Sequence, residues 1–407
     1  MNTKLLVPVL FSVFCFIKMP AQNQNLNDDF QNNKITVGAA RINAYIKKLK
    51  GKNVGLVINQ TSVIGKNNTF LVDTLLAMGI KVKAIFAPEH GFRGKADAGE
   101  HVDNQIDAST GVKVISVYGK KYAPDSSDLK DIDVLVFDIQ DVGTRFYTYI
   151  STLQYVMESA AMYKKPLIIL DRPNPNGHYV DGPVLDTTYK SFVGMQAVPI
   201  VYGMTLGEYA MMLKGEKLLK HGVQPDIFIV KCAGYNHKKF YSLPVKPSPN
   251  LPNMRSVYLY PTLCLFEGTN VSMGRGTEKQ FQIFGSPLLP YDKFTFTFTP
   301  QPNEGAKKPQ FEGVLCYGKD LSVLPIKNLQ QKKSVDLSYI AEAYAAYAGK
   351  DSFFMKSNFF EKLAGIKSLR EEIKNGEKLE NIRAKWQSGI RNFKIVRKKY
   401  LLYRDFE

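Results

Sequence analysis

Short apolar runs recur through the first 231 residues and limit the fold more than any other feature of the chain. The runs are residues 53–59, 81–89, 112–118, 132–140, 165–173 and 225–231. Each is continuously apolar and rich in Val and Ile, which is typical of parallel strands buried on both faces. Stretches with helical spacing, 68–79, 147–163 and 205–219, lie between them. This alternation predicts an α/β fold with a doubly wound, mostly parallel sheet.

The pattern changes near residue 285. Pro and Lys become frequent, residues 294–300 alternate as in a half-exposed strand, and helical patterns follow from 338 to 386. We therefore expect two domains, a Rossmann-like α/β domain over residues 34–284 and a smaller C-terminal α+β auxiliary domain over residues 285–407.

The first 21 residues have the composition of a secretory leader. Lys4 supplies a positive start, residues 5–17 are apolar, and Ala21 is a candidate for the last residue before cleavage. An N-terminal anchor helix is the alternative. Cleavage predicts a periplasmic protein, peripheral to the envelope, whose mature chain has no membrane span.

The chain is basic, with a formal net charge of +17 from 54 Lys and Arg against 37 Asp and Glu. Loss of Lys4 and Lys18 with the leader leaves +15. Residues 327–407 hold 18 basic and 10 acidic residues, a net of +8, so about half of that excess belongs to the C-terminal unit. We therefore interpret it as a solvated face and expect no nucleic-acid partner.

Polar residues follow four of the predicted strands. They are Asn59 to Thr61, Glu89 to Gly94, Asp138 to Tyr147 and Asp171 to Gly177. Asp or Asn after a strand is often only a helix cap. Because ligands bind at the carboxyl ends of strands in an open α/β sheet, the four segments together predict one polar cleft.

Several enzyme classes lack their motifs in this chain. No GxGxxG follows the first strand, and neither a P-loop nor a GxSxG elbow occurs. Glu89-His90 and Glu100-His101 form a paired motif that could suggest a metal site, but it lacks the HExxH spacing. We expect no metal and no cofactor.

With these classes disfavoured, catalysis by carboxyl groups is the remaining chemistry that the sequence supports. Glu89 follows an apolar strand with Phe86 and Phe92 nearby, a setting that raises a carboxyl pKa toward that of a general acid. A structural salt bridge to Arg93 or Arg172 is the alternative.

A second carboxylate is what glycoside hydrolysis usually needs, and Asp138 and Asp141 are the candidates by topology. Tyr149 is one of several aromatic residues whose position suits stacking on a sugar ring.

The segment 260–287 is rich in polar side chains and glycine. Asn270, Arg275 and Glu278 are its candidate ligand-binding residues, and Gly-Arg-Gly puts the arginine on backbone that can approach a ligand closely. An ordinary loop between domains is the alternative.

Long motifs in the chain resemble those of the exo-β-N-acetylmuramidase family of peptidoglycan-degrading glycoside hydrolases. The resemblance runs from about residue 36 to the C-terminus. The motifs are residues 87–94, 137–149, 170–177, 191–210, 248–252 and 265–287. This family resemblance implies a Rossmann-like domain, a smaller C-terminal domain and a cleft between them.

The same resemblance implies release of N-acetylmuramic acid (MurNAc) from the non-reducing end of peptide-free fragments built of MurNAc and N-acetylglucosamine (GlcNAc). By the match, Glu89 of the EHG motif is the catalytic residue. Independently of the match, the 2-acetamido group of such a substrate permits substrate-assisted chemistry, in which Asp138 or Asp141 would orient the amide. A non-catalytic periplasmic protein that binds such fragments is the alternative.

The lactyl carboxylate of N-acetylmuramic acid should meet a cation. The arginine candidates are Arg93, Arg145, Arg172 and Arg275. His90 and Asn174 complete the predicted substrate-binding set.

Overall fold

The computed structural model describes residues 35–89, 91–92 and 104–407. The predicted leader, residues 1–21, lies outside the described residues. The strands are β1 (Asn53–Ile58), β2 (Val63–Ile64), β3 (Thr69–Phe70), β4 (Lys81–Ala87), β5 (Gln105–Ile106), β6 (Lys113–Ser116), β7 (Val134–Asp138), β8 (Leu167–Leu170), β9 (Ile227–Val230), β10 (Ile283–Ser286), β11 (Phe296–Phe298) and β12 (Cys316–Asp320).

Helices alternate with the strands in the first part of the chain and follow them in the second. They are α1 (Ile46–Leu49), α2 (Leu71–Ala77), α3 (Ser126–Leu129), α4 (Tyr149–Met162), α5 (Leu206–Gly215), α6 (Met254–Leu263), α7 (Ile326–Lys332), α8 (Ser338–Ala346), α9 (Lys350–Phe353), α10 (Phe359–Ala364), α11 (Ser368–Lys374) and α12 (Leu379–Lys398). Short 3₁₀ helices span Gly38–Ala40, Ile42–Ala44, Thr187–Tyr189, Lys220–Gly222 and Cys264–Gly268.

The central sheet has the order β5-β6-β4-β1-β7-β8-β9. All neighbouring strands run parallel except the short edge strand β5, which is antiparallel to β6. The chain runs outward from β1 through β4 to β6 and then returns to β7 on the other side of β1. This reversal opens a crevice beyond the carboxyl ends of β1 and β7, where doubly wound folds bind their ligands. The predicted fold class is confirmed.

The inner strands are buried on both faces, as their continuous apolar sequences predict. Leu56 and Val136 pack on one face of the sheet with Leu71 of α2. Val57 and Leu135 belong to the core on the other face, together with residues of α4 and α5. The sequence pattern therefore fixes which segments form the sheet.

A second, antiparallel sheet has the order β10-β12-β11 and lies among the helices of the C-terminal part. Residues 294–300 provide β11, in which Phe296 and Phe298 are half-buried and Thr297 is exposed. The helical region extends to Lys398, beyond the predicted end at residue 386. Among the described residues, no helix is both long and apolar enough to cross a membrane.

Candidate active site

A cavity of about 390 Å³ opens at the carboxyl edge of the central sheet and is called the cavity below. Its charged lining consists of Glu89, Glu267 and Arg275. Its other lining residues are Thr148, Ser248, Asn250, Val193, Leu251 and the aromatic Tyr118, Tyr122, Phe146, Tyr147, Tyr149, Phe192, Tyr260, Phe281 and Phe359. Aromatic walls with a few charged groups are the usual composition of a small-molecule site.

The loop at residues 247–251 forms part of the wall and is anchored to the sheet edge. The Pro247 carbonyl accepts hydrogen bonds from Gln60 Nε2 and from the Tyr147 hydroxyl, both at 2.8 Å. Gln60 follows β1 and Tyr147 follows β7, so the loop lies over the point where the strand order reverses. The cavity therefore occupies the crevice that the topology predicts.

Glu89 lies two residues beyond β4 on a tight turn. The Gly91 N–H bonds to the Pro88 carbonyl at 3.0 Å, and Gly91 has a φ of 74°, which glycine adopts without steric cost. Thr148 Oγ1 donates to Glu89 Oε2 at 2.6 Å, and the Tyr118 hydroxyl also bonds the carboxylate. Burial, followed by the charge of Glu89, raises the pKa of Tyr118. Tyr118 therefore stays a neutral donor toward Glu89.

Two buried polar side chains of the cavity lining, Tyr149 and Asn250, differ in their hydrogen bonding. Asn250 Oδ1 accepts no hydrogen bond from the described residues, whereas the Tyr149 hydroxyl interacts with Tyr147 and Asn59. Both side chains are about 1% exposed. The other side of the Asn250 amide is fixed, because Nδ2 donates to the Gly305 carbonyl at 2.5 Å. Since buried polar groups are nearly always satisfied, Asn250 Oδ1 is suited to accept a hydrogen bond from a ligand.

Glu267 and Arg275 form an ion pair on the cavity wall. Arg275 Nη2 and Nε lie 2.5 Å and 3.2 Å from Glu267 Oε1. The Arg275 side chain is 24% exposed and the Glu267 side chain is 19% exposed. The Arg275 guanidinium lies 5.3 Å from the centroid of the Phe281 ring. Both residues belong to the glycine-rich segment 260–287, whose polar side chains the sequence predicted to belong to the site, with Arg275 rather than Glu267 singled out as a ligand-binding residue.

Asp138 and Arg172 are paired with each other and do not line the cavity. Arg172 Nε and Nη2 lie 2.6 Å and 2.9 Å from Asp138 Oδ1 and Oδ2, and Nη2 also donates to the Val63 carbonyl at 3.0 Å. The side chains are 0% and 2% exposed. The structure thus puts this carboxylate and this guanidinium below the crevice, where each satisfies the other.

Asp141 is also buried and does not line the cavity. Its Oδ2 accepts hydrogen bonds from the Tyr202 hydroxyl and, at 2.6 Å, from the Gly143 N–H. Burial raises the pKa of Asp141 to about 7. The sequence predicted the carboxyl with a raised pKa at Glu89. Asp141, whose pKa burial raises, lies beneath the crevice instead.

Arg145 is buried among backbone carbonyl groups and does not line the cavity. Its guanidinium is 0% exposed and donates to the carbonyls of Pro183, Val198, Leu363 and Ala364, each at 2.8 Å. Burial lowers the pKa of Arg145 to about 9. Two of the four carbonyls belong to α10, so Arg145 connects the C-terminal helices to the segment at residues 183–198.

Of the remaining predicted residues that the structure describes, Tyr149 lines the cavity, whereas Asn174, Asn270 and Glu278 do not. Asn174 is buried and donates to the Met204 carbonyl at 2.8 Å. Asn270 donates to the Ser352 carbonyl at 2.5 Å, and Glu278 is exposed. His90 and Arg93 lie outside the described residues. Within the described part of the chain, no three His, Cys, Asp or Glu side chains cluster as metal ligands.

Comparison with known proteins gives two family matches and close relatives. The family described as exo-beta-N-acetylmuramidase NamZ, N-terminal, matches residues 54–255, and its C-terminal counterpart matches residues 258–403. The chain is 41% identical over 377 residues to the peptidoglycan beta-N-acetylmuramidase NamZ of Bacillus subtilis (strain 168), covering 88% of this chain and 89% of the relative.

Two solved structures share the fold. Both are DUF1343 family proteins from Bacteroides fragilis NCTC 9343. One, at 1.30 Å resolution, has a TM-score of 0.84 and 44% identity, and the other, at 1.65 Å, has a TM-score of 0.75 and 30% identity. Each match covers 91% of this chain and 99% of the solved chain. The chain therefore belongs to the NamZ family of exo-β-N-acetylmuramidases.

Proposed function

We propose that this chain is an exo-acting glycoside hydrolase that releases N-acetylmuramic acid from the non-reducing end of peptide-free peptidoglycan fragments. Its Bacillus subtilis relative carries the name peptidoglycan beta-N-acetylmuramidase. On this chain, the carrying observation is the cavity, in which Glu89, Glu267 and Arg275 meet an aromatic wall. No cofactor enters the proposed reaction.

Glu89 is the proposed general acid and base. A carboxylic acid must protonate the glycosidic oxygen as the bond to the anomeric carbon breaks, and the resulting carboxylate can then take a proton from the attacking water. The bond from Thr148 and the bond from Tyr118 hold the Glu89 carboxyl in one orientation. Proton transfer depends on such positioning, because a small displacement of the acid slows the reaction.

Arg275 is the proposed partner of the lactyl carboxylate. A guanidinium has five N–H donors, and Arg275 uses only Nε and Nη2 to donate hydrogen bonds to Glu267. The remaining donors can bind a substrate carboxylate, since arginine matches carboxylate geometry with paired hydrogen bonds. Glu267 holds the arginine against the wall and balances its charge when the cavity has no ligand.

Tyr149 and Asn250 are the proposed partners of the 2-acetamido group. The Tyr149 hydroxyl, whose oxygen interacts with Tyr147 and Asn59, can donate its proton to the amide oxygen. Asn250 Oδ1, which accepts no hydrogen bond from the described residues, can accept the amide N–H. Such contacts orient the amide for substrate-assisted chemistry. Asp138 and Asp141, which the sequence offered for this task, do not line the cavity.

The cavity volume supports exo action. At about 390 Å³ it lies near the lower end of the roughly 300–1,000 Å³ range of ligand pockets. One amino sugar with its acetamido and lactyl groups suits this space. The rest of the glycan must then lie outside, as it does when an enzyme removes one terminal residue at a time.

The Glu89→Gln variant tests the function. We expect a 10²- to 10⁴-fold loss of kcat/KM on a MurNAc–GlcNAc disaccharide, roughly the contribution of a general acid. A nitrophenyl muramide should lose much less, because its leaving group needs little protonation. Turnover is measured by release of the free sugar, and Glu371→Gln, which changes an exposed glutamate on α11, is the matched control.

Two results would contradict this proposal. Near-native hydrolysis of the disaccharide by folded Glu89→Gln would remove Glu89 from the mechanism. Tight binding of the disaccharide by the native protein without any turnover would instead support a fragment-binding protein.

We further propose that the protein is exported to the periplasm, where such fragments arise. The support is the composition of residues 1–21. Cell fractionation with N-terminal sequencing of the mature chain is the test. An uncleaved chain in the cytoplasmic fraction would overturn it.

A further inference from the structure

An aromatic cluster extends from the cavity to the protein surface. It consists of Tyr118, Tyr122, Tyr155 and Phe192 and is called the aromatic rim below. Tyr118, Tyr122 and Phe192 line the cavity, whereas Tyr155 lies behind them on α4. Tyr122 is 37% exposed, and the other three side chains are half-buried. The aromatic rim therefore offers apolar surface to a molecule that extends out of the cavity.

The rings of the aromatic rim pack closely, with Tyr155 nearly parallel to Tyr122 and Phe192, and with Tyr118 edge-on to Tyr122. Tyr122 and Phe192 have centroids 4.6 Å apart, and Tyr122 and Tyr155 have centroids 5.7 Å apart with planes inclined by 23°. Phe192 is tied to α4, since its carbonyl accepts from Ser151 Oγ at 2.7 Å. A regular helix thus supports the cluster, which favours a binding surface of fixed shape.

Tyr118 connects the aromatic rim to the proposed general acid. Its hydroxyl bonds the Glu89 carboxylate, and its ring lies 5.6 Å from that of Phe192. A general acid must contact the glycosidic oxygen, which is the atom that joins the departing sugar to the one being released. The aromatic rim is therefore adjacent, through Tyr118, to the point at which the departing sugar is attached.

We propose that the aromatic rim binds the departing sugar, an N-acetylglucosamine residue on the reducing-end side of the scissile bond. This inference rests on the proposed function and on Glu89 as its acid. The faces of a pyranose ring carry C–H bonds and are apolar, and they pack against aromatic rings, whose faces are electron-rich. The neutral departing sugar needs no cation, whereas the lactyl group needs Arg275.

The test compares two substrates that differ only beyond the scissile oxygen. Methyl β-N-acetylmuramide has no departing sugar, whereas the MurNAc–GlcNAc disaccharide has one. Neither has an aromatic leaving group that could itself stack on the aromatic rim. We expect Tyr122→Ala to lower kcat/KM about tenfold on the disaccharide, mainly through KM, and less than twofold on the methyl glycoside.

Two further variants provide controls. Tyr122→Phe keeps the ring and should retain activity on both substrates. Tyr291→Ala removes an exposed tyrosine that does not line the cavity and should change neither. Equal losses on both substrates for Tyr122→Ala, or no loss on either, would overturn the proposal while leaving the hydrolase function intact. Failure of the native protein to cleave either substrate would overturn the proposed function itself, and the role of the aromatic rim with it.

Discussion

Among the described residues, two arginine–carboxylate pairs lie near the crevice, and they differ in depth. Arg172 and Asp138 lie below it with 2% and 0% of their side chains exposed, whereas Arg275 and Glu267 lie on the cavity wall with 24% and 19% exposed. Arg172 contacts both oxygens of its carboxylate and a backbone carbonyl. Arg275 contacts a single oxygen of Glu267.

The comparison shows that depth, rather than residue type, separates a structural pair from one available to a ligand. A buried pair must satisfy itself, because each ion has lost its water and a substitute partner would have to displace a well-made bond. A pair on a cavity wall keeps part of its hydration and can exchange it for a ligand. Sequence alone made both arginines equal candidates for the lactyl group.

The largest expected effect follows from breaking the deeper pair. Arg172→Ala leaves Asp138 as a buried carboxylate without its partner, which costs roughly 3–5 kcal/mol in the free energy of unfolding. Urea denaturation followed by circular dichroism measures this cost. The double variant Arg172→Met with Asp138→Leu should recover most of it, because apolar side chains of similar volume often replace a buried pair without loss.

The matched control is Arg275→Ala. It should change the free energy of unfolding by no more than about 1 kcal/mol, since partly exposed pairs contribute little to stability. If both single variants lost the same stability, the distinction between the two pairs would not hold.

The second effect concerns specificity. Arg275→Ala should lower kcat/KM on a β-N-acetylmuramide about 10- to 100-fold, because a hydrogen bond to a charged group contributes roughly 1.5–3 kcal/mol. The corresponding glucosaminide has no lactyl carboxylate and should lose less than threefold. Parallel kinetics on the two substrates, together with Arg275→Lys as a variant that keeps the charge, measure this difference. Equal losses on both substrates would remove Arg275 from lactyl recognition.

Most of the fold could be predicted from the sequence. Continuous runs rich in Val and Ile are typical of parallel strands buried on both faces. The runs at 53–59 and 132–140 accordingly contain β1 and β7. Polar residues after these strands also indicated the edge of the sheet at which the cavity opens. Glu89 and Tyr149 lie on the cavity there, and Arg275 reaches it from the later segment.

The depth of each side chain could not be predicted. Arg145 follows a strand end like a ligand-binding residue, yet its carbonyl partners come from residues 38 to 219 positions further along the chain. Asn174 likewise bonds a carbonyl 30 positions away. Only the packing of distant segments decides whether such donors meet backbone or a ligand, and this packing has no local signature.

A third effect concerns Asp141, which lies with Asp138 in the buried region. Its pKa is raised from 3.8 to about 7 because burial disfavours the charge. The folded protein therefore binds a proton at Asp141 more tightly than the unfolded chain does. This contribution to stability is fully present below about pH 4 and is lost as the pH rises through about 7, so the free energy of unfolding should fall across this window.

Asp141→Asn removes this titration and keeps the packing. An amide oxygen at the Oδ2 position can still accept from Tyr202 and Gly143. The fall in the free energy of unfolding between pH 5 and 7 should become shallower by about 1 kcal/mol per pH unit. Denaturation across this range measures the slope, and Glu371→Gln, at an exposed carboxylate, should leave it unchanged. An unaltered slope in Asp141→Asn would mean that Asp141 is ionised in the folded protein, and that the buried region tolerates a charge without the partner that Asp138 has.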